Sequence, residues 1–365
     1  MSSFSRREFA SQSLSNLTPI LAGTLLPSLL SSRVLSNAKT RIRVGQIGTK
    51  HGHASGKLEA VTKLNEHFEV VGVVELDQAQ REKVQNTGAY QSCTWMTVEQ
   101  LLNQPGLQLV LVETEIDQLL NVAEKCLLAG MHVHLDKPAG TSLEKFQKVA
   151  KIAADSKRMI QLGYMFRSNP AFQFIFNAVK QGWLGEVFEI DGVMSKKVAS
   201  SDRGELARYR GGSMLELGCH LIDAVVSILG KPQSITSFNS KTLPEVDQLN
   251  DNCLAVFHYP KATASIRSSM VEVDGGRRRQ FVVCGTKGTI EIVPLEPPLL
   301  TLTLEQPIGG FRKGTQTVEL SKMTGRYDGD LLSLASAIRG ESDYPYSLQH
   351  DLIVQECVLK ASEMF

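Results

Sequence analysis

The sequence predicts an α/β protein with two domains, and two patterns along the chain support this. From residue 41, short apolar runs alternate with helical segments, a succession typical of a parallel sheet flanked by helices. After about residue 166 most segments alternate apolar and polar residues in steps of two, as antiparallel strands do. The 365 residues are enough for two domains with large cores. We therefore expect a doubly wound domain over residues 39–165 and an α+β domain with a large open, mainly antiparallel sheet over residues 166–365.

Charge and composition exclude several classes of protein. The chain has 39 Lys and Arg residues against 38 Asp and Glu, so it has no excess of basic charge to hold nucleic acid or anionic lipid. Its 42% hydrophobic and 21% charged residues are typical of a globular chain rather than a disordered one. We expect a small-molecule ligand and no nucleic-acid partner.

The first 38 residues are predicted to be a twin-arginine export signal rather than part of the fold. The pair Arg6-Arg7, followed by Phe9, precedes a mildly apolar, Ser-rich run that ends in a small-residue site near residues 36–38. An ordinary secretory signal or a disordered arm is the alternative. Prolines, a glycine and serines interrupt the run, which makes it a poor membrane anchor. We expect a periplasmic or exported protein without a stable membrane anchor.

The first domain opens with the pattern of a βαβ unit. "RIRVGQIG" is a short strand, "TKHGHASGKLEAVTKL" a turn and a helix, and "FEVVGVVELD" a second strand that ends on an acid. In such a unit a ligand crevice lies at the carboxyl ends of the strands, where a helix N-terminus favours phosphate. The unit therefore predicts a phosphate-bearing ligand.

The Gly-rich turn is an imperfect dinucleotide fingerprint. In G-x-G-x-x-G register from Gly48, Lys50 replaces the second glycine, His53 replaces the third, and Gly52 lies one place early. An ordinary tight strand-to-helix turn is an equally good interpretation of this motif alone. The cofactor contacts predicted from the turn are Gly48, Thr49, Lys50, His51, Gly52 and His53.

Glu75 strengthens the dinucleotide interpretation. It follows the second strand 27 residues after Gly48, near the spacing expected for the acid that binds the adenosine ribose. A carboxylate there accepts hydrogen bonds from both ribose hydroxyls and repels a 2′-phosphate, which predicts NAD in preference to NADP. A solvated strand end is the alternative for Glu75.

A lysine follows the fourth predicted strand. The stretch "LQLVLVETEIDQLLNVAEKCLLAGMHVHLDKPAG" contains a strand, a helix that stops at Gly130, and a strand that leads to Lys137. Lys137 is thus expected beside the crevice, and Pro138 favours an extended conformation for it. A solvated loop lysine is the alternative.

A second set of polar residues lies in "GGSMLELGCHLIDAVVSIL". Glu216, His220, Asp223 and Ser227 recur at helical spacing on one stripe of an otherwise apolar helix. Such a stripe lines a cavity or forms a buried polar network. His220 is the natural proton acceptor because imidazole titrates near neutral pH, and Glu216 or Asp223 could orient it. A hydrogen-bonded core histidine is the alternative.

These motifs together resemble a known family. The order of the VGQIG turn, the acid-terminated second strand, AGMHVHLDKP, "QLGYMFRSNPAF", "GWLGEVFEIDG" and "GGSMLELGCHLIDAV" is similar to the glucose-fructose oxidoreductase, inositol dehydrogenase and MocA (Gfo/Idh/MocA) family of NAD(P)-dependent oxidoreductases. The resemblance covers the chain from about residue 41 to its C-terminus. It implies an N-terminal Rossmann domain and a hydride transfer to or from a hydroxyl carbon of a sugar, cyclitol or related polyol.

The resemblance also implies roles for individual residues. Lys137, in a triplet that resembles the family's Glu-Lys-Pro, would lie near the nicotinamide ribose and polarise the reacting oxygen. His220 would be the general acid/base. The expected substrate-binding residues are Glu216, Asp223, Tyr164 and Arg167, with an ion pair between domains as the alternative for Arg167, and Thr114 and Asp136 join the expected cofactor contacts.

One segment departs from the family's pattern. Relatives often carry Thr-Pro, with a histidine four residues after the proline, where this chain has Thr114-Glu115 and Leu119. Glu113 and Glu115 would add negative charge on the nicotinamide side. Together with Lys50, this departure leaves a non-catalytic paralogue that binds a sugar or a nucleotide as one alternative. Export with a retained cofactor leaves a second one, an NAD-dependent redox-assisted glycosidase.

The remaining expectations concern cofactor retention, assembly and metals. Twin-arginine export carries folded proteins, so NAD could be bound tightly and travel with the chain. In relatives the C-terminal sheet supports oligomer contact, which predicts a homodimer or homotetramer. The six cysteines are scattered and there is no H-x-x-H or H-E-x-x-H spacing, so no metal site is predicted.

Overall fold

In the computed structural model, which describes residues 40–365, a five-stranded sheet forms the N-terminal domain. Every pairing in it is parallel, and the strand order is 2-1-3-4-5. The predicted export signal lies outside the described residues. The strands are β1 (Ile42–Ile47), β2 (Phe68–Val74), β3 (Leu107–Val112), β4 (His132–Leu135) and β5 (Ile160–Leu162).

Helices cover both faces of this sheet. On β3, Val110 and Val112 share a core with the helices of one face, whereas Leu109 and Leu111 share a core with the helix that follows β1. A strand covered on both faces reads as a continuous apolar run, which is why "LQLVLV" shows no alternation. The helices are α1 (Ala54–Lys63), α2 (Gln78–Val84), α3 (Val98–Leu102), α4 (Leu119–Leu128) and α5 (Leu143–Asp155).

The second sheet has eight strands and is mainly antiparallel, as the sequence predicted. Its strand order is 13-12-11-10-6-9-8-7, and only the pairing of strands 6 and 9 is parallel. The strands are β6 (Val187–Ser195), β7 (Ser234–Ser240), β8 (Asn252–His258), β9 (Thr263–Ser269), β10 (Gln280–Gly285), β11 (Gly288–Leu295), β12 (Pro298–Leu304) and β13 (Gly314–Val318).

Helix α8 is the helix that connects the second sheet with the site. Its residues from Cys219 to Val226 are all buried, because the second sheet and two other helices surround it. A π-helical segment, Met214–Gly218, precedes it. The helices of this part of the chain are α6 (Pro170–Lys180), α7 (Ser200–Leu206), α8 (Cys219–Leu229), α9 (Asp328–Ile338) and α10 (Leu348–Ala361).

Helix α9 packs on the first sheet although it follows the second sheet in the chain. Leu331 and Leu334 share a core with Leu58 and Val61 of α1. Helix α10 likewise contacts both α5 and α8. The C-terminal helices therefore hold the two sheets together, and the site lies where their elements meet.

Within residues 40–365, none of the helices combines the length and the apolar character that crossing a bilayer requires.

We predict that Asp330→Asn stabilises the protein more at neutral pH than at acidic pH. Burial raises the pKa of Asp330 from 3.8 to about 6. Since the folded-state pKa lies above the unfolded value, Asp330 lowers the free energy of unfolding as the pH rises through that interval. The amide removes this cost, about 1–3 kcal/mol at pH 7, while its oxygen still accepts the hydrogen bond from Ser168.

Urea unfolding at several pH values from 4 to 8 measures this effect. Asp343→Asn, at an exposed position, is the matched control and should give a curve parallel to that of the wild type. If the Asp330→Asn curve is also parallel to the wild type, the carboxyl of Asp330 does not titrate as described.

Candidate active site

Lys137 and Glu216 join the two predicted sets of polar residues. Lys137 follows β4 and is 1% exposed. Its Nζ donates to the backbone oxygen of Glu216 at 2.7 Å and lies 3.1 Å from Oε1 of the same residue. Burial alone would lower the pKa of Lys137, but the Glu216 carboxylate holds that pKa above its usual value. Lys137 is therefore a buried cation at the carboxyl end of a parallel strand, as the sequence predicted.

His220 lies in an aromatic pocket next to this cation. Its ring packs edge-on against Tyr164 and Phe166, with centroid distances of 5.8 and 5.7 Å. Burial and the Lys137 charge lower the pKa of His220 well below 6.5, so its ring is neutral at neutral pH. Its Nδ1 has no hydrogen-bond partner among the described residues. A neutral imidazole with a free nitrogen can accept a proton.

Lys57 is a buried charge that the sequence did not predict. Its Nζ lies 3.1 Å from Glu113 Oε1 and 3.2 Å from Asp136 Oδ1, and all three side chains are at most 1% exposed. These residues come from α1 and from the ends of β3 and β4. One ammonium group therefore fixes the position of three elements around the crevice.

The pKa values of the two acids in this cluster are shifted in opposite directions. Burial and the nearby Asp136 raise the pKa of Glu113 well above its usual value. Burial also opposes ionisation of Asp136, but His51 and Lys57 hold its pKa well below the usual value. The surroundings thus favour the ionised form of Asp136 and the protonated form of Glu113.

The loop after β1 brings two histidines onto Asp136. His51 Nδ1 lies 2.6 Å and His53 Nδ1 3.2 Å from Asp136 Oδ2. Burial lowers the pKa of His53 to about 4. No metal site was predicted, because the sequence contains no metal-binding motif. His51, His53 and Asp136 are nevertheless a potential set of metal ligands, since their ligand atoms all lie within 4.8 Å of one another. Asp136, predicted to contact a cofactor, is instead covered by the two rings.

The backbone of the Gly-rich turn fits a dinucleotide. Gly48 has a φ of +94°, and a Cβ there would lie 2.6 Å from the backbone of Glu113 and Thr114, so this close approach to β3 requires glycine. A Cβ on Gly52 would meet no atom within 4 Å. Helix α1 has no side-chain cap and no acid in its first turn, so no carboxylate of its own opposes a phosphate at its N-terminus.

The predicted ribose-binding acid is in the expected place. Glu75 follows β2, and its carboxylate accepts from the N–H and the hydroxyl of Thr49 at 2.8 and 2.6 Å. Lys50, at the position of the second glycine, pairs with Asp77 at 2.9 Å and Glu115 at 2.8 Å. Its ammonium therefore spans the ends of β2 and β3, where a dinucleotide phosphate could replace one of these carboxylates.

A cleft of about 690 Å³ opens beside these groups. The turn forms one side of it, and the segment that contains α7 forms the other. A small ligand of nucleotide or sugar size fits this volume. The lining includes Lys50, His51, Gly52, Glu115, Glu205, Tyr209 and Glu216.

Two residues predicted to bind substrate are instead paired with each other. Arg167 donates through Nε and Nη2 to the Asp223 carboxylate, at distances down to 2.6 Å, and also contacts Asp351 at 2.6 Å. Like Lys137 and His220, neither Arg167 nor Asp223 is among the residues that line the cleft, and both are at most 3% exposed. The geometry favours the ion-pair alternative for Arg167, and it gives Asp223 the role of its partner.

Two other predicted contact residues, Tyr164 and Thr114, are buried next to the site. Tyr164 is fully buried and reaches the site only through the edge of the His220 ring. Thr114 is 2% exposed and contributes its backbone beneath Gly48. Neither Glu216 nor Asp223 orients His220. Glu216, which lies within the π-helical segment, pairs with Lys137, and Asp223 pairs with Arg167.

One feature of the sequence could have indicated the role of Lys57. It lies three residues after Ala54 and four before Val61, on the side of α1 that the apolar residues occupy. A lysine on that side must either extend to solvent or find buried acids. The ring of Tyr327 also borders this cluster, with its centroid 5.8 Å from the Lys57 ammonium, and no sequence pattern indicated that contact.

Comparison with known proteins defines the class. A family model described as "Oxidoreductase family, NAD-binding Rossmann fold" matches residues 42–164, and one described as "GFO/IDH/MocA C-terminal domain" matches residues 172–291. The two matches cover more than half of the chain. The protein is thus an oxidoreductase with an NAD-binding type of Rossmann domain. It belongs to the Gfo/Idh/MocA family, as its motifs predicted.

Individual relatives agree with this assignment. The Uncharacterized oxidoreductase YdgJ of Escherichia coli (strain K12) is 24% identical over 87% of this chain and 94% of its own length. Inositol 2-dehydrogenase of Rhizobium meliloti (strain 1021) is 22% identical over 80% of this chain and 86% of its own. The structure of UDP-N-acetylglucosamine 3-dehydrogenase GnnA from Acidithiobacillus ferrooxidans shares the fold, with a TM-score of 0.74 at 16% identity over 89% of this chain and 98% of that one.

We predict that Gly48→Ala destabilises the protein by about 2 kcal/mol or more, because a side chain at this φ is strained and its Cβ would overlap the β3 backbone. Gly52→Ala is the matched control: its Cβ has free space, so the free energy of unfolding should change by less than about 0.5 kcal/mol. Chemical unfolding measures both. Equal stability of the two variants would contradict the described loop geometry.

Proposed function

We propose that this protein transfers a hydride to or from a hydroxyl carbon of a sugar, cyclitol or related polyol. The observation that carries the proposal is the position of Lys137, a buried cation at the end of β4, beside the neutral His220. Membership of an oxidoreductase family supports it. The name of one relative, inositol 2-dehydrogenase, supports a polyol as the substrate class.

A nicotinamide dinucleotide fits the N-terminal crevice and supplies the hydride acceptor or donor when it is bound. The N-terminus of α1 and the Gly48–Gly52 turn would hold its phosphates, because a helix N-terminus carries partial positive charge and Gly52 leaves open space beside it. Glu75 would accept from the adenosine ribose. Lys50 would neutralise phosphate charge after it leaves one of its two carboxylates.

Lys137 and His220 would handle the substrate hydroxyl. The Lys137 ammonium donates to the hydroxyl oxygen and stabilises the negative charge that develops there during oxidation. His220 takes the hydroxyl proton on a ring nitrogen, for which its neutral state is required. Glu216 keeps Lys137 charged and positions its ammonium, and it is one of the carboxylates that line the cleft.

We predict that Lys137→Met and His220→Ala each lower kcat/KM by at least about 100-fold while circular dichroism shows that both variants are folded. Methionine keeps the buried stem of Lys137. NADH formation from a panel of cyclitols and aldoses measures the activity. Lys151→Met and His258→Ala, at exposed positions, are the matched controls and should keep full activity. Activity that survives Lys137→Met and His220→Ala contradicts the proposed roles.

We predict that Glu75→Ala weakens NAD⁺ binding by about 10- to 100-fold, the effect of losing a hydrogen bond to a charged group. NADP⁺ binding should weaken less, because the mutation also removes the carboxylate that repels the 2′-phosphate. Isothermal titration calorimetry with both nucleotides measures the preference. Glu69→Ala, which removes a half-exposed acid near the start of β2, should change neither affinity. An unchanged ratio of the two affinities in Glu75→Ala would show that this acid does not select NAD.

We extend the proposal to assembly and retention of the cofactor. A homodimer or homotetramer would form through the face of the second sheet that α8 does not cover, where Phe238 and Leu299 are 59% and 51% exposed. Export by the twin-arginine route would carry NAD already bound. Light scattering in solution decides the first point: a monomer at all concentrations removes the assembly proposal. Detection of NAD-bound protein in a periplasmic extract decides the second, and an exclusively cytoplasmic protein removes it.

A further inference from the structure

His51 and His53 converge on one oxygen of a buried carboxylate. Their Nδ1 atoms lie 2.6 and 3.2 Å from Asp136 Oδ2, and their ring centroids are 4.8 Å apart. The other oxygen, Oδ1, accepts from the Lys137 N–H at 2.7 Å and contacts Lys57 at 3.2 Å. His53 Nδ1 also lies 3.3 Å from Oδ1, so Oδ2 is the oxygen that both imidazoles contact. The hydride-transfer proposal does not use this arrangement.

Two histidines and one carboxylate that face the same position are a known set of metal ligands. In the 2-His-1-carboxylate arrangement the three side chains occupy one face of a divalent metal and leave its other positions open. His51 lines the cleft, next to Gly52, whose Cβ would meet no atom within 4 Å. Open positions of a metal bound here would therefore face the cleft and its ligand.

The spacing of the ligand atoms suits such an ion with a small adjustment. Ligand atoms about 2.0–2.2 Å from a tetrahedral ion lie about 3.4 Å from one another. His53 Nδ1, at 3.2 Å from Oδ2, is near this spacing, and His51 Nδ1 would move outward from 2.6 Å by less than about 1 Å. Both rings would bind through Nδ1 in the Nε2–H tautomer.

The charges around the trio permit a divalent cation. The carboxylates that face it are Asp136 itself, Glu113 and Glu216, and the cations are the ammonium groups of Lys57 and Lys137. Each ammonium lies within 3.2 Å of a carboxyl oxygen, Lys57 of Glu113 and Asp136 and Lys137 of Glu216, so three acidic side chains face two basic ones before a metal binds.

We propose that His51, His53 and Asp136 form a binding site for one divalent transition-metal ion of the zinc class, whose open positions take an oxygen atom of the molecule in the cleft. Imidazole ligands favour such ions over magnesium and calcium, which prefer oxygen ligands. This inference goes beyond the proposed function and does not depend on it.

Titration of the purified protein with Co²⁺ tests the proposal directly. Protein without a polyhistidine tag is stripped with a chelator and titrated while the visible d–d absorption of Co²⁺ is recorded. We expect saturation at one Co²⁺ per chain and displacement by Zn²⁺. His51→Gln and His53→Gln should each weaken binding by at least about 100-fold, since loss of an outer-shell partner alone costs about 10- to 100-fold.

His258→Gln is the matched control, because His258 is an exposed histidine on β8, outside the trio. It should leave the titration unchanged, and circular dichroism shows whether each variant is folded. The proposal is overturned if the wild type shows no saturable binding or if binding survives both substitutions in the trio. Because the signal comes from Co²⁺ itself, a protein that binds the metal and no dinucleotide would refute the proposed function alone.

Discussion

The site depends on one buried ammonium group, that of Lys57. It contacts Glu113 after β3 and Asp136 after β4, and it projects from α1, which follows the Gly-rich turn. Leaving a carboxylate buried without this partner would cost several kcal/mol. The positive charge therefore sets the distance between the turn and the two strand ends, which form the walls of the crevice.

The positions of the other active-site groups follow from this constraint. Asp136 contacts Lys57 through one oxygen, and its second oxygen lies against both His51 and His53. Lys137 comes next in the chain and reaches across to Glu216, just before α8. Helix α8 then presents His220, which is held between aromatic rings. A chain of contacts thus runs from the first sheet to the helix that covers the second, and both sheets contribute to one site.

Much of this arrangement could be predicted from the sequence, because it follows from periodicity. The parallel sheet, the position of Lys137 at a strand end, and the placement of His220 on a buried helix all come from regular spacing. Which charged side chains pair with one another could not be predicted in the same way. Asp223 lies at helical spacing from His220, yet it pairs with Arg167, which is 56 residues away in the chain. Long-range pairing of charges depends on packing between elements, and no local pattern records it.

The proposed function requires that the crevice beside Lys57 and Lys137 holds a nicotinamide dinucleotide. The most direct test is to purify the protein without added nucleotide, denature it, and identify released nucleotides by absorbance and mass spectrometry, with calorimetric titration of any empty fraction. We predict NAD(H) in the supernatant, or one NAD⁺ bound per chain on titration. A protein that releases no dinucleotide and binds neither NAD⁺ nor NADP⁺ would contradict the account.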